Sequence, residues 1–220
     1  MSTIDLVNFE NILSRNPEYH RHEKGLSIKG FFHPISITQR EAIHMYNFIV
    51  SHNLKNGYEC ATGTGISALV AGLAFKENGG KLATLDAYIE QNYKLSNVYR
   101  DKQEVYTDSI PYQTINKMLE RYGLENTVTL KQGWSPDAVP DLGLANIDFV
   151  HIDAGHWDEA VQRDLQVIKP YLADKYAIFI HDTHCFSGDT ERFCQELFGK
   201  SWQVLFGFED SWCMGLIDNT

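Results

Sequence analysis

Two glycines constrain this chain more than any other feature. Gly63 and Gly65 stand between a short apolar run, residues 58–61, and a longer one, residues 67–75. The first has the length of a strand and the second that of a helix, so the backbone must turn sharply between them. Glycine suits such a turn because it lacks a Cβ, which frees φ and lets a ligand approach the main chain. The helix that follows offers unpaired N–H groups in its first turn, a natural seat for a polar or anionic ligand group. A nucleotide-like cofactor is the first expectation, and a plain strand-to-helix turn is its bland rival.

Composition narrows the class. A chain of 220 residues, 43% hydrophobic, is long enough for one sizeable core and short for two. A net charge of −10 argues against a nucleic-acid surface, because phosphate binding needs clustered Lys and Arg. Cys60, Cys185, Cys194 and Cys213 are widely spaced with no CxxC pair, which fits thiols in a reducing compartment. No signal peptide and no apolar run of membrane-spanning length is visible, so a soluble cytoplasmic protein with no membrane partner is expected.

Residues 1–34 are polar and carry His20, Arg21, His22, Glu23 and Lys24, then Gly25, Gly30, Phe31, Phe32, His33 and Pro34. Their pattern supports little regular structure and suggests a loose arm, with a lid over the acceptor site as the functional alternative. Thr38 opens a helix with Ala42, Met45, Tyr46, Ile49 and Val50 on one face, and Asn56-Gly57 supplies its stop. After the glycine turn and its helix, Asn78, Gly79 and Gly80 end that helix, and residues 81–85 form a second strand closing on Asp86. An acid there, roughly twenty residues after the glycines, is placed to accept hydrogen bonds from a ribose diol. Its rival role is a solvated strand end.

Residues 88–112 are polar and tyrosine-rich, a connection longer than a compact fold needs, and they suit a substrate pocket or a helix covering equally. A helix over Ile115, Met118, Leu119 and Tyr122 is capped by Gly123, and a third strand runs over residues 127–130. Gly133, Trp134 and Ser135 follow it and become candidates for a purine, since ligands of open parallel sheets bind at the carboxyl edge. A fourth strand, residues 147–152, ends on Asp153 and His156, and its helix places Val161, Leu165, Ile168 and Leu172 on one face. A fifth, residues 176–180, ends on His181, Asp182 and His184. Beyond a helix over residues 190–197, strands at residues 202–208 and 211–217 are separated only by Glu209 and Asp210. So short a link makes them antiparallel.

From Thr38 onward the chain resembles a class I S-adenosylmethionine-dependent methyltransferase, an α/β Rossmann-like fold whose mostly parallel sheet ends in an antiparallel C-terminal hairpin. Glu59-Cys60-Ala61-Thr62-Gly63-Thr64-Gly65 resembles the acidic, glycine-rich first motif, Asp86 the ribose-binding acid, and Gly133-Trp134-Ser135 the adenine loop. Ala61 departs from the pattern, which more often has glycine there. The resemblance implies a single catalytic domain over residues 35–220 and S-adenosyl-L-methionine held by Glu59, Ala61, Gly63, Gly65, Asp86, Gly133, Trp134, Ser135 and Asp153.

The stretch from Asp148 through Asp153, His156 and Glu159, with Phe179, Ile180, His181, Asp182 and Thr183, is similar to family 24 methyltransferases and to metal-dependent sugar and macrolide O-methyltransferases. That resemblance implies a divalent metal, Mg or Mn, on Asp153 and Asp182, with His181 where another acid is expected, and His156 as the base beside Asp153. Histidine binds Mn, Fe or Zn well and Mg poorly. Histidine ordinarily titrates at about 6.5, which suits a base at neutral pH. The expected acceptor is a hydroxyl of a sugar or other small molecule or glycan, and homo-oligomer formation stays open. Two alternatives remain: a NAD-dependent oxidoreductase, from Gly63-x-Gly65-x-x-Ala68, and a cofactor-binding partner protein without turnover.

Overall fold

In chain order the described residues form helices α1 (Thr3–Leu6) and α2 (Phe9–Arg15), strands β1 (Tyr19–His22) and β2 (Gly25–Ile28), then α3 (Gln39–Ser51), β3 (Asn56–Cys60), α4 (Ile66–Asn78), β4 (Lys81–Asp86), α5 (Tyr112–Arg121), β5 (Val128–Gln132), β6 (Ile147–Ile152), α6 (Asp158–Ile168), β7 (Leu172–Ile180), α7 (Gly188–Phe198), β8 (Gln203–Val204) and β9 (Gly215–Asp218). The computed structural model describes residues 3–22, 24–29, 37–86, 112–207 and 213–220. Most of the expected connection over residues 88–112, and the link at Glu209 and Asp210, lie outside the described residues.

Seven strands make one sheet in the order β5-β4-β3-β6-β7-β9-β8. β5, β4, β3, β6 and β7 run parallel, and β9 is antiparallel to both its neighbours. The expected mostly parallel sheet with an antiparallel end is therefore present. Its two faces bury different sets of side chains, as the two-residue period of a strand requires. Along β7, Ala177 and Phe179 join α3, α4 and α5 in one apolar layer, while Ile178 and Ile180 join α6 in the other. α4 is buried along the whole of residues 66–75, which explains why it is apolar on every side.

Three expectations are corrected here. Asn56 and Gly57 do not stop α3, which ends at Ser51; they open β3. Gly57 has a packing reason instead, because a Cβ there would lie 2.5 Å from the Phe75 ring and 2.8 Å from Leu82. Leu172 leaves the helix face and starts β7, since Pro170 turns the chain in a short 3₁₀ segment after α6. The third correction concerns the amino-terminal segment, whose described part is ordered.

β1 and β2 form an antiparallel hairpin, and Val7, Phe9, Ile12, Tyr19, Leu26 and Ile28 are buried in the α3 and α4 layer. Long-range polar contacts fix it: both guanidinium nitrogens of Arg121 on α5 donate to Glu18, and one also donates to Asn16. That pairing holds the Glu18 carboxyl down to about 2. The buried Tyr19 hydroxyl donates to the Thr64 carbonyl inside the glycine turn at 2.7 Å. Replacing Tyr19 by Phe leaves that buried carbonyl without its donor. Thermal unfolding of Tyr19→Phe should show a loss of about 1 kcal/mol, or roughly 2–4 °C in Tm.

Candidate active site at the carboxyl edge of the sheet

Strand register decides where the candidate side chains go. Cys60 is level with Leu85 on one side and Ile152 on the other, Asp86 is level with Gln132, and Ile152 with Ile180. The ladder continues one residue past the strands: Ala61 N–H donates to Leu85 O, Asp153 N–H to Cys60 O, and His181 N–H to Ile152 O. Gly133 N–H likewise donates to Asp86 O at 2.9 Å. The glycine turn, Asp86, Gly133, Asp153 and His181 therefore emerge at one height along one edge.

Within the turn, Ala61, Gly63 and Gly65 all have left-handed backbone, with φ of 72°, 52° and 78°. Ala61 thus occupies a conformation that favours glycine, which gives its departure from the motif a physical cost. At Gly65 a Cβ would meet Ile115 Cγ2 at 2.6 Å, so α5 closes down on the turn and only glycine fits. Gly65 is also the N-cap of α4 and supplies no side-chain cap. Gly63 N–H donates to Asp86 Oδ2 at 3.0 Å, locking the turn to the end of β4. A carboxylate oxygen has a second lone pair, so this bond leaves Asp86 able to accept from a ligand hydroxyl.

Glu59 is placed differently from the other cofactor candidates. It is 1% exposed, accepts from Thr84 Oγ1 at 2.5 Å, and meets His151 Nδ1 at 3.1 Å. These three residues are level neighbours on β3, β4 and β6 and share a face of the sheet. Both Glu59 oxygens are engaged inside the protein, beneath the turn rather than in front of it. Thr62 joins the row through its hydroxyl, 2.7 Å from that of Thr84, and so ties the turn to it.

Gly133 is obligatory for a close approach, since a Cβ would sit 2.4 Å from Ala138 Cβ. Trp134 is half-buried, and its carbonyl accepts from Ala138 N–H at 2.8 Å, which closes the loop on itself. The Ser135 hydroxyl donates to Asp164 of α6. Burial pushes the Asp164 carboxyl up to about 6, against the opposing effect of its hydrogen bonds with Ser135 and Cys60.

Farther along the edge, His181 is buried among carboxylates. Its Nδ1 lies 3.1 Å from Asp153 Oδ1 and 3.4 Å from Asp182 Oδ2, while Nε2 is 3.4 Å from Glu41 Oε2. His156 Nε2 lies 3.3 Å from Asp182 Oδ2 and its side chain is 36% exposed. Asp182 is held in left-handed backbone at φ 54°, a conformation a short polar side chain tolerates. His184 is more remote, with Nδ1 4.0 Å from Asp182 Oδ1. Neither Asp153 nor His156 caps α6, whose N-cap is Trp157 without a side-chain bond.

Charge and burial oppose one another here. Burial disfavours a charged His181, but the Asp153 carboxylate, with Asp182 and Glu41, outweighs it and raises the imidazole pKa well above its ordinary value. Burial alone would likewise raise Asp153, yet His181 in front of it holds the carboxyl below the ordinary range. The donor atoms of Asp153, His181 and Asp182 lie within 4.8 Å of one another. His181 Nδ1 is buried and near both carboxylates, but out of hydrogen-bond alignment with either. A buried nitrogen of that kind, beside two carboxylates, fits a divalent metal ion.

Glu41 and His151 were not among the sequence candidates. Glu41 reads locally as the third residue of a capping box, which it is: Thr38 N–H donates to its Oε2 at 2.6 Å. His151 lies inside an apolar strand pattern. Only its place next to Glu59 in a parallel register reveals it.

Residues 59–183, more than half of the chain, match the family model of a methyltransferase domain. No curated protein sequence matches the chain. Among solved structures it is similar to the O-methyltransferase TomG of Streptomyces achromogenes, involved in tomaymycin synthesis and crystallised with SAM. Identity is 14%, over 84% of this chain and 82% of that one, with a TM-score of 0.60. The O-methyltransferase from Bacillus cereus in complex with SAH is 14% identical over 99% of this chain and 91% of that one, with a TM-score of 0.58. Podospora anserina methyltransferase PaMTH1, bound to SAH, is 14% identical over 83% and 79%, with a TM-score of 0.57. At these identities the likeness is one of fold.

Two stability measurements check the site's geometry. Ala61→Gly removes a left-handed alanine at the expense of a more flexible unfolded chain, so a net gain of roughly 0.5 kcal/mol is expected in chemical denaturation. Gly65→Ala adds both strain and a clash and should lose more than about 2 kcal/mol. For Asp164, the folded protein keeps its proton to higher pH than the unfolded chain does. Its stabilisation is complete below pH about 4 and is lost as pH rises through about 6. The loss amounts to up to about 3 kcal/mol, and Asp164→Asn should flatten that part of the stability–pH curve.

Proposed function

Because the chain belongs to the methyltransferase-domain family matched by its residues 59–183, a family of class I S-adenosylmethionine-dependent enzymes, we propose that it methylates a hydroxyl oxygen of a small molecule or glycan, most specifically of a sugar-bearing metabolite. The observation that carries this is the common height of the glycine turn, Asp86 and the Asp153, His156 and Asp182 group on one edge. The SAM and SAH bound to TomG and to the Bacillus cereus enzyme support S-adenosylmethionine as the donor.

In this proposal the N–H groups at the start of α4 receive the polar end of the donor, and Asp86 accepts from the ribose hydroxyls. Gly133, Trp134 and Ser135 flank the purine, with Ser135 steadied by Asp164. The bound donor supplies a methyl group on a sulfonium, whose leaving group needs no proton. The acceptor hydroxyl must lose its proton as the C–O bond forms and the C–S bond breaks, and His156 takes it. Asp182, 3.3 Å from His156 Nε2, orients that ring. A divalent ion held by Asp153, His181 and Asp182 would lower the pKa of the hydroxyl.

Against the oxidoreductase alternative, drawn from Gly63-x-Gly65-x-x-Ala68, stands β9, which is antiparallel and inserted between β7 and β8, unlike the parallel dinucleotide fold. A binding protein without turnover would leave unexplained why Asp153, His156 and Asp182 converge. A cytoplasmic setting belongs to the same proposal; no disulfide joins the cysteines and no helix among the described residues is long and apolar enough to cross a membrane.

Isothermal titration with S-adenosylhomocysteine tests the proposal. Wild-type protein should bind it, and Asp86→Ala should weaken binding by about 10- to 100-fold, the scale of hydrogen bonds to a charged group. His156→Ala should bind normally and lose about 100-fold or more in turnover, read as S-adenosylhomocysteine released from glycoside acceptors. Wild-type protein that does not bind would end the proposal.

A further inference from the structure

Glu41 is fully buried, and the helix cap does not require its charge. The capping box needs an acceptor for Thr38 N–H, which Glu41 Oε2 provides at 2.6 Å, and glutamine serves that purpose equally well. A carboxylate taken out of water costs several kcal/mol unless a partner compensates. One partner stands just past the end of β7, 140 positions along the chain: His181 Nε2, 3.4 Å from the same oxygen. An ionised carboxylate can only accept, so Glu41 keeps a proton on His181 Nε2, and a metal ion at Nδ1 would take the place of a proton there. Nδ1 is then left for the Asp153 and Asp182 side of the ring, where it lies 3.1 and 3.4 Å from their oxygens without hydrogen-bond alignment.

We infer that Glu41 is the positioning residue of a divalent-metal site: it holds His181 by Nε2 so that Nδ1 faces Asp153 and Asp182, and it contributes the negative charge that a neutral imidazole cannot. The inference rests on the methyltransferase reading but goes beyond it. Two carboxylates and an imidazole form a mixed nitrogen and oxygen donor set, which suits Mn²⁺, Fe²⁺ or Zn²⁺ over Mg²⁺. With Glu41 one imidazole ring away, three negative charges surround the position of the ion although only two of them are on the ligands. The arrangement follows the general rule that a ligating histidine gives its other N–H to a carboxylate.

The test is direct Mn²⁺ binding to the full-length protein, followed by the loss of the free-ion electron paramagnetic resonance signal, with Mg²⁺ and Zn²⁺ as competitors. Glu41→Gln keeps the capping box, so its Tm should stay within about 2 °C and its S-adenosylhomocysteine affinity should not change. Its Mn²⁺ dissociation constant should rise by about 10- to 100-fold. His181→Asp sets a second carboxylate against Glu41 and should bind Mn²⁺ weakly. Combining it with Glu41→Gln relieves that repulsion, and the pair should recover binding with the preference moved toward Mg²⁺. Equal Mn²⁺ affinity in wild type and Glu41→Gln would overturn the inference, as would a double variant no better than His181→Asp. Wild-type protein that binds S-adenosylhomocysteine but none of the three ions would overturn it while leaving the methyltransferase reading in place. Failure to bind S-adenosylhomocysteine would instead strike that reading.

Discussion

Parallel strands that end at one height are the constraint on which the rest of this molecule depends. From β5 across to β7 the register brings Lys131, Leu85, Cys60, Ile152 and Ile180 to a common line. Each loop beyond that line begins with its backbone still bonded to its neighbour. The chain must then leave the sheet abruptly, and it does so through left-handed residues at Ala61, Gly63, Gly65 and Asp182. Backbone strain and chemical side chains therefore occur at the same places, because both arise where a strand stops and a ligand edge begins.

Beneath that edge lies a row of buried polar groups that no solvent reaches. Thr84, Glu59 and His151 run level across three strands, and the His181 ring follows at 6.3 Å from that of His151. Both Glu59 oxygens are engaged by neighbours on other strands, which lowers the cost of burying that carboxylate, whereas His151 Nε2 and His181 Nδ1 are buried without a hydrogen-bond partner. The amino-terminal hairpin acts in the same sense from the opposite side, with Tyr19 reaching the Thr64 carbonyl and Arg121 holding Glu18. A segment that reads as an appendage is thus part of the wall behind the glycine turn.

Much of this was legible in the sequence where local chemistry suffices. The residues expected for β6 are those it occupies, Gly79 and Gly123 end their helices in left-handed backbone, and the C-terminal strands pair antiparallel, although β8 and β9 cover only Gln203–Val204 and Gly215–Asp218 of the described part of the expected 202–208 and 211–217. What sequence could not show depends on distant partners. β1 and β2 are four residues each, too short for periodicity to register, and they are tied to α5 and the glycine turn. Asn56-Gly57 carries a turn signature, yet steric crowding by Phe75 and Leu82 is the reason for its glycine. Asp153, His156, His181 and Asp182 are visible as residues following strands, whereas Glu41 is not, because its contact with His181 joins positions far apart along the chain.

The central claim is spatial: one crevice at the carboxyl edge holds both the adenosine and the reacting atoms. A crystal structure with S-adenosylhomocysteine bound tests it most directly. The account predicts the ribose diol on Asp86, the adenine beside Gly133, Trp134 and Ser135, and the sulfur facing Asp153 and His156. Ligand density on any other face of the sheet, or an adenosine lying away from Asp86, would contradict it.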